Sequence, residues 1–246
     1  MTTTLAPVPR ALLWDLDGTL AYWTSVPSLV FGLAGEYLRE TERFAGWGTA
    51  LLATARAYKK ALANAGPATN DAVFNRSLSV PLGVAPDLLA GVTLDLIETG
   101  RFDTAIRSHI RPIEPALSLV RQLAASGRFT QIVATNPVMP SAFNRRRLQL
   151  AGYDPAWFAA YSGSEQHIGQ KREARFYTDL LDRLRLAAAD SLMIGNDVAK
   201  DLTAKRVGIR CFLVESEHTR RAGAAPDLVP DWSGDYHVLT KLLGEE

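Results

Sequence analysis

The chain has 246 residues, 47% of them hydrophobic and 22% charged, with a formal net charge of +1. That is enough apolar material for a full core in one large domain or two smaller ones, and the balanced charge supplies no long-range field to draw nucleic acid or an anionic membrane. Cys211 is the single cysteine, which excludes an internal disulfide and fits a reducing compartment.

Met1 to Arg10 lacks a basic start followed by an apolar stretch, and no later run is long enough to span a bilayer, so a soluble, cytoplasmic protein is expected. Ala11-Leu12-Leu13 reads as a short buried strand that runs into Trp14-Asp15-Leu16-Asp17-Gly18-Thr19-Leu20. Two carboxylates one residue apart, where a strand yields to a Gly-Thr turn, can face a common ligand. Their mutual repulsion pushes one pKa up and a bound cation pushes the other down, so one stays ionised while its neighbour carries a proton. That division suits a carboxylate nucleophile partnered by a carboxylic acid.

From Leu20 to about residue 108 the spacing is helical. Val30, Phe31, Ala34, Tyr37 and Leu38 share one face; Trp47, Leu51, Ala55, Tyr58 and Leu62 a second; Leu88, Leu89, Val92 and Leu96 a third. These aromatics are expected in the helix core. Breaks fall at Gly66-Pro67, Val80-Pro81-Leu82-Gly83 and Gly100.

Beyond Glu114 strands and helices alternate. A helix from Pro115 to Ala125 precedes the strand Gln131 to Thr135; a helix from Ser141 to Leu150 ends at Gly152; a short strand lies near Ala159 to Ser162. A helix from Arg172 to Leu186 leads to the strand Ser191 to Ile194, then a helix from Val198 to Arg206 and the strand Ile209 to Val214, in which Cys211 reads as a packed thiol. Trp232, Tyr236 and His237 fall in a closing turn and helix. This alternation predicts a doubly wound α/β parallel sheet with ligands at the carboxyl ends of its strands. Three such ends carry polar residues: Thr135-Asn136, Gly195-Asn196-Asp197 with Asp201 one helical turn on, and Lys171 before its helix. An Asp before a helix serves as an N-cap, and two acids four apart also suit a hard divalent cation.

In this order the pieces resemble the haloacid dehalogenase superfamily of hydrolases, much of which consists of magnesium-dependent phosphatases. Asp15-Leu16-Asp17-Gly18-Thr19-Leu20 is similar to the first motif, Thr135 with Asn136 to the second, Lys171 to the third and Gly195 to Asp201 to the fourth; Arg172 stands where a proline often follows the third motif's lysine. The resemblance implies Asp15 as nucleophile, Asp17 as general acid and base, and Thr135, Asn136 and Lys171 as substrate-binding residues. It also implies Mg²⁺ held by Asp15, the Asp17 carbonyl and Asp197, with Asp201 in support. The segments 1–21 and 109–246 would form the α/β core, and 22–108 an inserted all-α cap.

The expected partner is a small phosphorylated metabolite, with no nucleic acid and no membrane, and the protein is a monomer or homodimer. Asp17 argues against halide chemistry, because a halide leaves without a proton. A phosphosugar mutase shares the same core. A phosphonate hydrolase would need a cap amine, for which Lys59 and Lys60 are the candidates, and a non-catalytic phospholigand-binding protein is the alternative of another class.

Overall fold

The computed structural model describes Leu5, residues 7–223 and residues 225–245. Part of the N-terminal stretch read above for a leader lies outside the described residues. Six parallel strands form the main sheet: β1 (Ala11–Trp14), β4 (Thr130–Val133), β5 (Ala160–Tyr161), β6 (Ser191–Gly195), β7 (Arg210–Val214) and β8 (Trp232–Gly234), in the order β5-β4-β1-β6-β7-β8. The apolar run that begins at Ala11 is central for a simple reason. All four β1 residues are buried, as is required of a strand covered on both faces. Trp14 sits opposite Val133 on one side and Ile194 on the other.

The chain leaves β1 toward β4 and β5 on one side and later returns to β6, β7 and β8 on the other. The reversal opens a crevice at the carboxyl end of β1, where ligands collect in sheets of this kind. Pairing continues to the rim: the Asp15 amide donates to the Ile194 carbonyl at 2.8 Å, and the Ala134 amide to the Trp14 carbonyl at 2.7 Å.

Between β2 (Ala21–Trp23) and β3 (Ile110–Pro112), an antiparallel pair, lie five helices: α1 (Val26–Ala45), α2 (Trp47–Leu62), α3 (Asn70–Leu82), α4 (Pro86–Glu98) and α5 (Asp103–His109). The pair escapes sequence periodicity because each strand has three residues, too few to show an alternation. Ser25 caps α1 by accepting from the Ser28 amide, and Thr69 caps α3 by accepting from Ala72. Pro81 lies inside α3, and the helix ends two residues later at Gly83 in the left-handed conformation, which shifts the predicted break.

Two predicted helix faces are corrected. On α2 the buried residues are Ala50, Ala53 and Ala57, which let that helix pack closely, while Trp47, Leu51, Tyr58 and Leu62 face outward. On α1 Leu29, Tyr37, Leu38 and Thr41 are buried, and Val30 and Phe31 are exposed, Phe31 by 81%. The third face holds through Leu89, Val92 and Leu96, with Leu88 exposed.

The remaining helices are α6 (Glu114–Ser126), α7 (Ser141–Leu150), α8 (Ala174–Leu184), α9 (Val198–Asp201) and α10 (Tyr236–Leu243). The helix predicted from Arg172 begins at Ala174. The one predicted from Val198 is a single α turn followed by a 3₁₀ segment, Leu202–Val207. Cys211 is buried, and burial pushes its thiol pKa up. Among the described residues no single helix is long and apolar enough to cross a membrane.

Candidate active site

The loop leaving β1 is held by its own backbone. Leu16 accepts from the amides of Leu20 and Ala21, both at 3.0 Å, and the Tyr236 hydroxyl donates to the Thr19 carbonyl. Gly18 has φ +92°, and a Cβ there would collide with the Asn196 amide, so only glycine allows the β6 loop to approach this closely. Gly195 is required for a similar reason: its side-chain space is filled by the Asp201 carboxylate.

Asp15, at the end of β1, is 7% exposed. Lys171 is fully buried and places Nζ 2.6 Å from Asp15 Oδ1 and 2.6 Å from Asp201 Oδ1. One cation thus sits between two carboxylates, one at the end of β1 and one on the helix that follows its neighbour β6. Burial, reinforced by Asp201 and Asp17, pushes the Asp15 carboxyl up to about 7 against the pull of Lys171. Burial also opposes the charge on Lys171, but Asp15 and Asp201 hold its pKa above the ordinary lysine value. Asp201 Oδ2 in turn accepts from the Asp197 amide at 2.7 Å, which ties the β6 loop to the same network.

Asp17 is directed away from this pair. Its side chain is 40% exposed, and its two oxygens accept from Arg147 Nη1 and Nη2 at 2.8 and 3.1 Å, a bidentate contact with the guanidinium. Arg147 lies on α7, and its Nη2 also stands 3.5 Å from Thr135 Oγ1. Thr135 is buried at the end of β4, its amide held by Ser162 Oγ at 2.9 Å. Asn136 does not point freely into the crevice. Its Oδ1 accepts from the Lys171 amide at 3.0 Å and its Nδ2 donates to Gln170, so it clips the Lys171 loop in place.

Asp15, Asp17, Thr135 and Lys171 therefore lie around the carboxyl end of β1, whereas Asn136 and Asp197 are turned to other partners. Asp197 accepts from the Lys200 amide at the N-terminus of α9, and Lys200 Nζ lies 2.7 Å from its Oδ2. The side chain of the β6 loop that faces the first motif is Asn196. Its Oδ1 accepts from Thr19 Oγ1 at 3.0 Å, and that hydroxyl is 3.5 Å from Asp15 Oδ2.

Sequence reasoning missed three residues. Arg147 was legible as an arginine on the apolar face of α7, between Phe143 and Leu148. Asn196 was hidden by the more acidic Asp197. Asn70, buried at the start of α3, donates to the carbonyls of Pro137 and Gly169 and accepts from the Gly169 amide; it joins the helical insert to both the Asn136 and Lys171 loops, and no local pattern announces it. Lys59 and Lys60 are exposed on α2.

A family model described as haloacid dehalogenase-like hydrolase matches residues 9–208. Among curated proteins the chain is 27% identical over 228 residues to a phosphoglycolate phosphatase of Rhodospirillum rubrum, covering 89% of this chain and 84% of that one. Two solved structures are similar in fold. A 2-haloacid dehalogenase of Pseudomonas syringae has TM-score 0.60 at 20% identity, covering 96% of this chain and 99% of the other. A protein of Bacillus subtilis described as a HAD-hydrolase, crystallised bound to magnesium, has TM-score 0.55 at 19% identity with the same coverage.

Proposed function

Given that this chain belongs to the haloacid dehalogenase-like hydrolases, we propose that it hydrolyses phosphate monoesters of small metabolites through a phosphorylated Asp15. The observation that carries the reading is the pairing of two differently housed acids at one strand end: Asp15 buried on Lys171, and Asp17 partly open to solvent on Arg147. A dehalogenase has no use for the second acid. An alkoxide leaving group does.

An Asp15 carboxylate oxygen attacks phosphorus in line, the ester P–O bond breaks, and protonated Asp17 gives its proton to the departing alkoxide. Asp17, now ionised, takes a proton from water as that water attacks the aspartyl phosphate; the P–O bond to Asp15 breaks, and inorganic phosphate leaves. Lys171 and the Thr135 hydroxyl stabilise the charge that spreads over the phosphoryl oxygens. The helices between β2 and β3 act as a cap on a core made of residues 1–21 and 109–246, excluding water and contacting the leaving group.

Among the described residues no group of three or more His, Cys, Asp or Glu side chains stands close enough to hold a metal ion. The donors at β1 still fit Mg²⁺, which prefers oxygen ligands and is held by one or two carboxylates plus substrate phosphate and water. Asp15, the Asp17 carbonyl and Asn196 Oδ1 would hold it, and Asp197 would join on release from Lys200. When bound, the ion neutralises charge between nucleophile and phosphate. The 27%-identical relative named for phosphoglycolate makes that ester the first substrate to try. The test is phosphate release from para-nitrophenyl phosphate and phosphoglycolate, with and without chelator. The wild type should be active only with Mg²⁺ and Asp15→Asn inactive. A wild type inert across a broad panel of phosphate esters would overturn the reading.

A further inference from the structure

The Arg147 guanidinium is the unassigned charge in this site. The residue is 6% exposed, and its ring neighbours are Trp23, 5.5 Å from the guanidinium carbon, and Phe143 at 6.0 Å. Among the described residues Nε has no hydrogen-bond partner, so the polar reach of the side chain is spent through Nη1 and Nη2 on Asp17 and, at longer range, Thr135. A buried cation with two aromatic rings within about 6 Å and both Nη atoms engaged has little freedom to turn.

We propose that Arg147 is the positioning residue for Asp17, fixing its carboxyl at the leaving-group side of the phosphoryl site; this rests on the phosphatase reading above. The fork explains how one contact serves both halves of the reaction. Both Asp17 oxygens accept from Arg147. In the acid form the carbonyl oxygen keeps its bond to the guanidinium, and the other oxygen carries the proton toward the departing alkoxide. The proton moves from Asp17 to the leaving group and returns from water, and Arg147 neither gains nor loses one. Trp23 belongs to β2, the strand that leads into the helical insert, so the orientation of Arg147 is braced by the segment next to the site.

The consequence is specific to the departing group. A para-nitrophenolate leaves without a proton, whereas phenolate and alkoxides need one. The value of kcat/KM reports the step in which that group departs and is insensitive to later hydrolysis of the aspartyl phosphate. The experiment measures kcat/KM with Mg²⁺ for a series of aryl phosphates running from para-nitrophenyl to phenyl, in wild type, Arg147→Ala, Arg147→Lys, Asp17→Asn and the Asp17→Asn/Arg147→Ala double variant. Thermal melts check that each variant is folded.

General acid catalysis is worth roughly 10²–10⁴-fold, and Arg147→Ala should forfeit part of it. The loss on phenyl phosphate should exceed that on para-nitrophenyl phosphate by about tenfold or more, with Arg147→Lys in between. In the Asp17→Asn background, removal of Arg147 should leave the dependence on leaving group unchanged, because the residue acts through Asp17. Equal losses along the series in a folded variant, a gain on phenyl phosphate, or a further steepening in the double variant would overturn the proposal and leave the phosphatase reading intact. A wild type inactive on the whole series would remove that reading, and this inference with it.

Discussion

Replacing Lys171 by methionine keeps the length of the side chain and deletes its charge, which leaves Asp15 and Asp201 facing each other with no cation between them. Lys171 is fully buried, and the side chains of Asp15 and Asp201 are 10% and 2% exposed, so solvent screens this pair of contacts little. Breaking a buried ion pair costs about 3–5 kcal/mol. At roughly 2–4 °C per kcal/mol for a chain of this size, the melting temperature should fall by about 6–20 °C.

The pH dependence has a definite sign. Burial has already raised the Asp15 carboxyl to about 7 while Lys171 pulls it down, so loss of Lys171 raises it further. A carboxyl whose folded pKa lies above its unfolded value stabilises the fold below the unfolded value, and that contribution is lost as pH rises through the folded value. The deficit of Lys171→Met should therefore be largest at about pH 8 and shrink toward pH 5 as Asp15 takes up a proton. Urea unfolding of both proteins at the two pH values measures it. A deficit below about 1 kcal/mol at the higher pH, against the range for a broken buried pair, or one identical at both values, would refute the reasoning.

Other consequences are independent of that lysine. His167 is buried beside Arg183, and burial first and then that charge push its pKa down to about 3. Its neutral form therefore supports the fold above about 6.5, and that support is lost as pH falls toward 3, by about 2 kcal/mol at pH 5; urea unfolding of His167→Gln should show a flatter acid limb. Gly18→Ala forces a side chain into Asn196 at φ +92° and should cost at least 1 kcal/mol or so in a chemical melt. Asn196→Ala removes a neutral oxygen next to Asp15 and should raise the Mg²⁺ concentration for half-maximal phosphate release by roughly 10- to 100-fold, read by metal titration.

The architecture was legible wherever a residue type had a local cause. Ala11 to Trp14 read as a buried strand, and the Gly-Thr that follows the two acids announced its turn; the structure adds that Gly18 lets Asn196 approach. Lys171 read alone as a solvated surface charge and entered the site only through the family resemblance, with Arg172 in place of proline; the structure buries it between the carboxylates of Asp15 and Asp201. What escaped depended on partners distant in sequence. Asp197 looked like the ligand of its loop because it is the stronger acid, but the short α9 uses it as an N-cap and Lys200 covers it. Arg147 meets an acid 130 positions away. The outward aromatics of α2 follow from the choice of an alanine face for packing, which periodicity alone cannot distinguish from its neighbour.

The central claim is that Asp15 becomes covalently phosphorylated during turnover. Rapid acid quench of wild type mixed with para-nitrophenyl phosphate and Mg²⁺, followed by mass spectrometry of the peptide containing Asp15, tests it most directly. The account predicts a transient phosphoryl adduct on Asp15, formed within the first turnover and lengthened in lifetime in Asp17→Asn, where the base for its hydrolysis is missing. Steady release of phosphate by Asp15→Asn at the wild-type rate, with no adduct on that peptide in either protein, would contradict it.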